Sequence, residues 1–121
     1  MIYGIGIDII ELNRVASMAG RQKRFAERVL MQSELDQYQG LSESRKIEFL
    51  AGRFAAKEAF SKAYGTGIGK RLSFQDIEIK KDPNGKPYIT CAKLSQAAVH
   101  VSITHTKEYA AAQVIIERLS S

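Results

Sequence analysis

The chain has 121 residues, 45% of them hydrophobic and 26% charged, with a formal net charge of +5. This size and balance describe one globular domain over residues 1–121 and exclude an intrinsically disordered chain. The single cysteine, Cys91, excludes an internal disulfide and a paired-cysteine metal site, and suits a reducing, cytoplasmic setting.

The opening stretch, MIYGIGIDII, is apolar, but Asp8 and Glu11 interrupt it and it lacks the basic leader of a secretory signal. Ile5, Ile7 and Ile9 share one face of an expected strand over 2–10, and Gly4, Gly6 and Asp8 share the other. Alternating glycines thin that face, so another backbone or a ligand can approach it closely. Asp8 either projects from the thinned face or ends the strand and caps the next helix.

Helices are expected over 11–19, stopped by Gly20, and over 21–30, with Phe25, Val29 and Leu30 as apolar contacts. Ser33 and Asp36 resemble a capping box that opens a third short helix, ended by Gly40. The longest helix is expected over 43–64, terminated by the GTGIG run at 65–69. Residues 73–81 and 88–91 read as strands joined by the DPNGKP turn. Residues 98–105 alternate as a strand. The segment 108–119 is alanine-rich, but its Val-Ile-Ile run and short TKE link favour a strand that closes a second hairpin. The fold class is therefore α+β: one strand, a helical region with one long helix, then antiparallel strands. No run reaches the roughly 18 apolar residues of a membrane span.

Two charge patterns need a chemical reason. On the long helix Glu58 and Lys62 are four apart and share a face, whereas Arg53 and Lys57 share a neighbouring face about 100° away. A solvated ion pair is the ordinary explanation, but Phe54, Ala55, Ala56, Ala59, Phe60 and Ala63 leave little surface for it. Lysine and arginine suit phosphate oxygens, and a carboxylate beside them is tolerable if Mg²⁺ lies between. Asp8 is the obvious second carboxylate. The glycines from Gly65 onward follow a helix instead of preceding one, so they form neither a P-loop nor a dinucleotide fingerprint, though their amides could approach a phosphate.

The second pattern lies between Leu12 and Gln32, where Arg14, Arg21, Lys23, Arg24 and Arg28 face Glu27 alone. Arg21, Arg24 and Arg28 fall on one face of a continuous helix, and Met18 and Phe25 could add apolar contacts between the charges. Such a patch suits an acidic partner. It carries no recognised nucleic-acid motif and no interleaved aromatics, so no nucleic-acid partner is expected, although a binding module of that kind is the alternative to an enzyme.

GIGID at 4–8, RFAAKEAFSKA at 53–63 and SITHT at 102–106 together resemble the three blocks of holo-acyl-carrier-protein synthases, which are small Mg²⁺-dependent 4′-phosphopantetheinyl transferases. The resemblance covers essentially the whole chain. It implies that the phosphopantetheine arm of coenzyme A moves to a serine of an acidic apo-acyl carrier protein, for fatty acid biosynthesis. It also implies a cytoplasmic homotrimer with each active site between two subunits. Under it Asp8 and Glu58 are metal ligands, Lys57 and Lys62 contact phosphate, and Arg53 and His105 handle the nucleotide end, with Gly65 nearby. The arginine-rich segment, Arg14 to Arg28 with Met18 and Phe25, then docks the carrier protein. Glu58, or a metal-bound water that it orients, is the candidate base. Without the resemblance His105 reads as an ordinary strand-end histidine, and a coenzyme-binding module without catalysis stays open. His100 and Cys91 read as structural.

Overall fold

The computed structural model describes residues 1–119. Strand β1 (Ile2–Glu11) leads into three short helices, α1 (Leu12–Arg21), α2 (Phe25–Val29) and α3 (Gln32–Gln39), and then the long α4 (Glu43–Tyr64). Two hairpins follow, β2 (Ile77–Lys81) with β3 (Pro87–Cys91), and β4 (Ala97–His105) with β5 (Tyr109–Arg118). The sheet order is β1-β5-β4, all antiparallel, with β2-β3 as a separate two-stranded sheet. The expected α+β architecture is present.

Helix α4 is the centre of the molecule. Leu50, Ala51, Ala55, Ala56, Ala59, Phe60 and Ala63 are all buried, because the helix is covered on several sides at once. The inner face of β5, Ala110, Ala112, Val114 and Ile116, packs toward it. The closest approach is to β1. A Cβ placed on Gly6 would lie 1.8 Å from the Ala59 carbonyl oxygen, and one on Gly4 would lie 1.9 Å from that of Ala63. The thinned strand face therefore receives a helix backbone, which no side chain larger than hydrogen permits.

The isoleucines face outward. Ile5, Ile7 and Ile9 are 59%, 64% and 65% exposed. Their cross-strand partners are Ile115, Gln113 and Ala111 of β5, which in turn pair with His100, Ser102 and Thr104 of β4. One face of the three-stranded sheet thus carries an apolar stripe with a glutamine at its middle.

Several local expectations are corrected. Gly20 lies within α1, and the break falls at 22–24, so the second helix is only five residues long. The third helix is opened by Met31, whose N–H is accepted by Glu34 (2.8 Å). Ser33 instead donates to Glu78 at 2.6 Å. Residues 74–76 form a 3-10 turn capped by Ser73 and Asp76, so β2 begins only at Ile77. At 73–76 the side-chain hydrogen bond of Asp76 replaces the strand that the local pattern suggests.

Candidate active site

Asp8 lies on the inner face of β1, two residues beyond Gly6, where the strand still runs against α4. Lys62 reaches across from the helix. Its Nζ donates to the Ile7 carbonyl at 2.9 Å and to Asp8 Oδ1 at 3.1 Å. Glu58, one turn earlier, completes the group. Partial burial raises the Glu58 pKa, the charge of Asp8 raises it further, and Lys62 opposes both. Two carboxylates that repel one another, with an ammonium half in solvent beside them, form a strained but accessible arrangement. A divalent cation completed by substrate oxygens and water would relieve that repulsion, so the pair fits Mg²⁺. Among the described residues no three His, Cys, Asp or Glu side chains gather, so an all-protein metal cage is not on offer.

The glycine loop after α4 plays a different part from the one expected. Gly65, at φ 108°, ends the helix in the left-handed conformation. The amides of Gly65 and Gly67 both donate to the Ser61 carbonyl, at 3.0 and 3.1 Å, and that of Gly69 to Leu72. The first two amides close the helix end, and all three are occupied.

Arg53 and His105 meet elsewhere. Both line a cleft of about 600 Å³, together with Arg45, Phe49, Glu48 and Lys81. The Arg53 guanidinium stacks on Phe49 at 4.3 Å and stands 3.5 Å from Glu34, yet its Nε and Nη2 are buried without a hydrogen bond. Burial lowers its pKa, and Glu34 opposes that shift. Arg45 and Lys81 are cations of this cleft that the sequence reading missed. Only the folding of the β2–β3 turn region against α4 brings Lys81 there.

Lys57 is the main correction. It is 0% exposed, and its Nζ donates to Glu34 Oε1 (2.7 Å), the Val29 carbonyl (2.7 Å) and the Phe74 carbonyl (3.2 Å). All three ammonium hydrogens have acceptors inside the protein, so this side chain does not reach a ligand. Burial lowers its pKa, and Glu34 holds it up.

The basic segment is solvent-facing, but it is not one helical face. Arg14 and Arg21 are exposed on α1 with Met18 half-buried between them, whereas Arg24 and Arg28 follow the break. Arg28 is hydrogen-bonded to Gln22, and Arg21 Nε donates to Ser17 O. Phe25 belongs to the core: it is 7% exposed and packs on Phe54 with ring centroids 6.0 Å apart. It supports the patch from beneath.

A family model described as the 4′-phosphopantetheinyl transferase superfamily matches residues 4–114. The chain belongs to that superfamily. It is 84% identical, over the full length of both chains, to the holo-[acyl-carrier-protein] synthase of Bacillus subtilis. Among solved structures, the Bacillus anthracis holo-(acyl-carrier-protein) synthase in complex with CoA (3′,5′-ADP) superposes with a TM-score of 0.90, at 54% identity and 98% coverage of each chain. The Helicobacter pylori synthase in complex with coenzyme A gives a TM-score of 0.83 at 39% identity, covering 93% of this chain and 99% of that one. As a phosphopantetheinyl transferase this chain keeps its two charged groups apart. Arg53 and Lys62 are nine residues apart on α4, and therefore point in roughly opposite directions.

Proposed function

We propose that this protein transfers the 4′-phosphopantetheine group of coenzyme A to a serine of an acidic apo-acyl carrier protein, yielding holo-acyl carrier protein and adenosine 3′,5′-bisphosphate. The reading takes the chain as one catalytic domain working in the cytoplasm for fatty acid biosynthesis. The observation that carries it is the Asp8–Glu58–Lys62 group, held at the seam where Gly4 and Gly6 admit α4.

Asp8 and Glu58 would hold Mg²⁺, which when bound neutralises charge on the pyrophosphate. Lys62, already half in solvent, donates to the same phosphate oxygens once the ligand displaces its bond to Asp8. The carrier serine oxygen forms a bond to the phosphorus that bears the pantetheine arm, and the bond from that phosphorus to the bridging oxygen breaks. The electron pair leaves on adenosine 3′,5′-bisphosphate. Glu58 takes the serine proton directly or through a water that it orients.

The nucleotide end is assigned to the cleft of Arg53 and His105. Because Arg53 and Lys62 point in roughly opposite directions on α4, a complete site would join the Lys62 side of one subunit to the Arg53 side of another. The exposed Ile5, Ile7 and Ile9 stripe supplies an apolar face for such an assembly, which we assign as a homotrimer. The carrier protein is assigned to the exposed arginines of α1 and α2.

Mass spectrometry of apo-acyl carrier protein incubated with coenzyme A, Mg²⁺ and this protein tests the reading. A gain of the phosphopantetheine mass on the serine is expected. An unmodified carrier protein under these conditions would overturn it.

A further inference from the structure

Glu34 is a buried carboxylate that the proposed chemistry leaves unused. Its exposure is 1%, yet it stands between two buried cations, Lys57 and Arg53. The two cations share it unequally. Lys57 takes the short contact at 2.7 Å to Oε1, which also accepts the Met31 N–H at 2.8 Å. Oε2 accepts the Ile79 N–H at 3.1 Å. Arg53 is left 3.5 Å from Oε2, without a hydrogen bond on Nε or Nη2.

Two buried cations share one buried carboxylate; the nearest further carboxylates, Glu78 beside Lys57 and Glu48 in the cleft, are only half-buried, so Arg53 is the less compensated of the two cations. An uncompensated buried charge is costly, and it is tolerated where a ligand supplies the missing partner. Lys57 lies on the enclosed side and has three acceptors. Arg53 lines the cleft with Arg45, Lys81, His105 and the half-buried Glu48, so the poorly compensated charge that a ligand can reach is Arg53. The gap between Arg53 and Glu34 exceeds a hydrogen bond by only about half an ångström. Lys57 on Oε1 and the Ile79 N–H on Oε2 fix the carboxylate in place, so it does not swing the short way to Arg53.

We propose that Lys57 and Glu34 are positioning residues for Arg53: Lys57 engages Glu34 so that the Arg53 guanidinium is held beside that carboxylate without a hydrogen bond to it and stays ready for an anionic phosphate group of the ligand. The inference rests on the assignment of this cleft to the nucleotide end of coenzyme A, and it gives the buried Lys57 a role that does not require contact with the ligand.

The test is calorimetric binding of adenosine 3′,5′-bisphosphate to the assembled full-length protein. In Lys57→Met, Glu34 is released to pair with Arg53, and the Kd should rise about tenfold, corresponding to one charge-assisted contact of about 1.4 kcal/mol. Glu34→Gln should bind at least as tightly as wild type, because Arg53 loses its competitor. In Glu34→Gln/Lys57→Met no carboxylate bonds Arg53 in place of the ligand, and the Kd should return to within about threefold of wild type. A merely structural pair would weaken binding in both single variants, in step with lost stability, and the double variant would not recover. The KM for carrier protein should move in none of them. If Lys57→Met does not fold, Glu34→Gln and the double variant decide, and weakened binding in either overturns the proposal. Unchanged affinity in a folded Lys57→Met overturns it as well. A wild type that fails to bind the nucleotide overturns the cleft assignment together with the inference, whereas a binding wild type with an unaffected Lys57→Met overturns the inference alone.

Discussion

Gly6 and Ala59 meet backbone to backbone: a methyl group on Gly6 would stand 1.8 Å from the Ala59 carbonyl oxygen. Neither partner can give way, since Ala59 sits mid-way along α4 and Gly6 is paired with Val114 in the sheet. Gly6→Ala should therefore destabilise the protein by about 4 kcal/mol or prevent folding, which places it among the severe single substitutions. Urea unfolding of the purified variant measures this. Gly20→Ala is the control, because nothing lies within 4 Å of a Cβ there.

The carboxylate pair makes a prediction with two readouts. Asp8→Ala and Glu58→Ala should each abolish transfer with the fold intact, because one carboxylate leaves Mg²⁺ too few protein ligands. Lys62→Ala should weaken pyrophosphate engagement while leaving Mg²⁺ binding in place. Full activity of Asp8→Ala or Glu58→Ala at ordinary Mg²⁺ would remove that residue from the metal site.

The pH dependence of the metal-free protein follows from the raised Glu58 pKa. A carboxyl that is harder to ionise in the folded state than in the unfolded one favours folding at low pH, and that contribution is lost as pH rises through its folded pKa. Glu58→Gln removes the penalty. Without metal its Tm should exceed that of wild type at neutral pH, and the difference should shrink as pH falls below the ordinary glutamate range. Added Mg²⁺ should stabilise wild type and not the variant. Thermal melts across pH, with and without Mg²⁺, check both signs.

The outward isoleucines make a prediction about assembly. Ile7, 64% exposed and opposite Gln113, lies mid-way along the apolar stripe. Ile7→Lys places a charge there without touching the core of the single subunit. Light scattering should show smaller species with the secondary structure retained, and transfer activity should fall with the assembly. A wild type that is active as a monomer would sink the trimer assignment.

Charge reversal tests the docking surface. Arg14→Glu and Arg24→Glu alter exposed side chains, so stability should change little. The KM for carrier protein should rise well above any change in the KM for coenzyme A. Wild-type activity should fall with salt, because such attraction is screened over about 8–10 Å at physiological ionic strength. Unchanged carrier-protein kinetics in both variants would move docking to another surface.

Local pattern carried much of this molecule. The alternation of β1, the 22-residue α4 and both hairpins were legible because helix and strand periods are written in adjacent residues. So was the pairing of Asp8 with Glu58 as a chemical idea, since a glycine-thinned strand and an apolar helix with i,i+4 charges each need an explanation. The short helices were less legible. The 3-10 turn at 74–76 depends on a side-chain hydrogen bond that competes with regular backbone structure, and the break at 22–24 has no glycine or proline to mark it.

What the sequence alone determined is which residue types share a strand face or a helix turn, because those relations are properties of the local backbone. What covers each face was decided only by the tertiary structure. Lys57 and Lys62 stand five residues apart on one helix, yet one is sealed against Glu34, a residue 23 positions away, and the other, half in solvent, reaches Asp8. The same holds for Phe25, drawn into the core by Phe54, and for Ile5, Ile7 and Ile9, left outside because the glycines opposite them take the helix. A period states which way a side chain points relative to its neighbours. Whether it meets protein or water depends on contacts between distant segments, which no local spacing encodes.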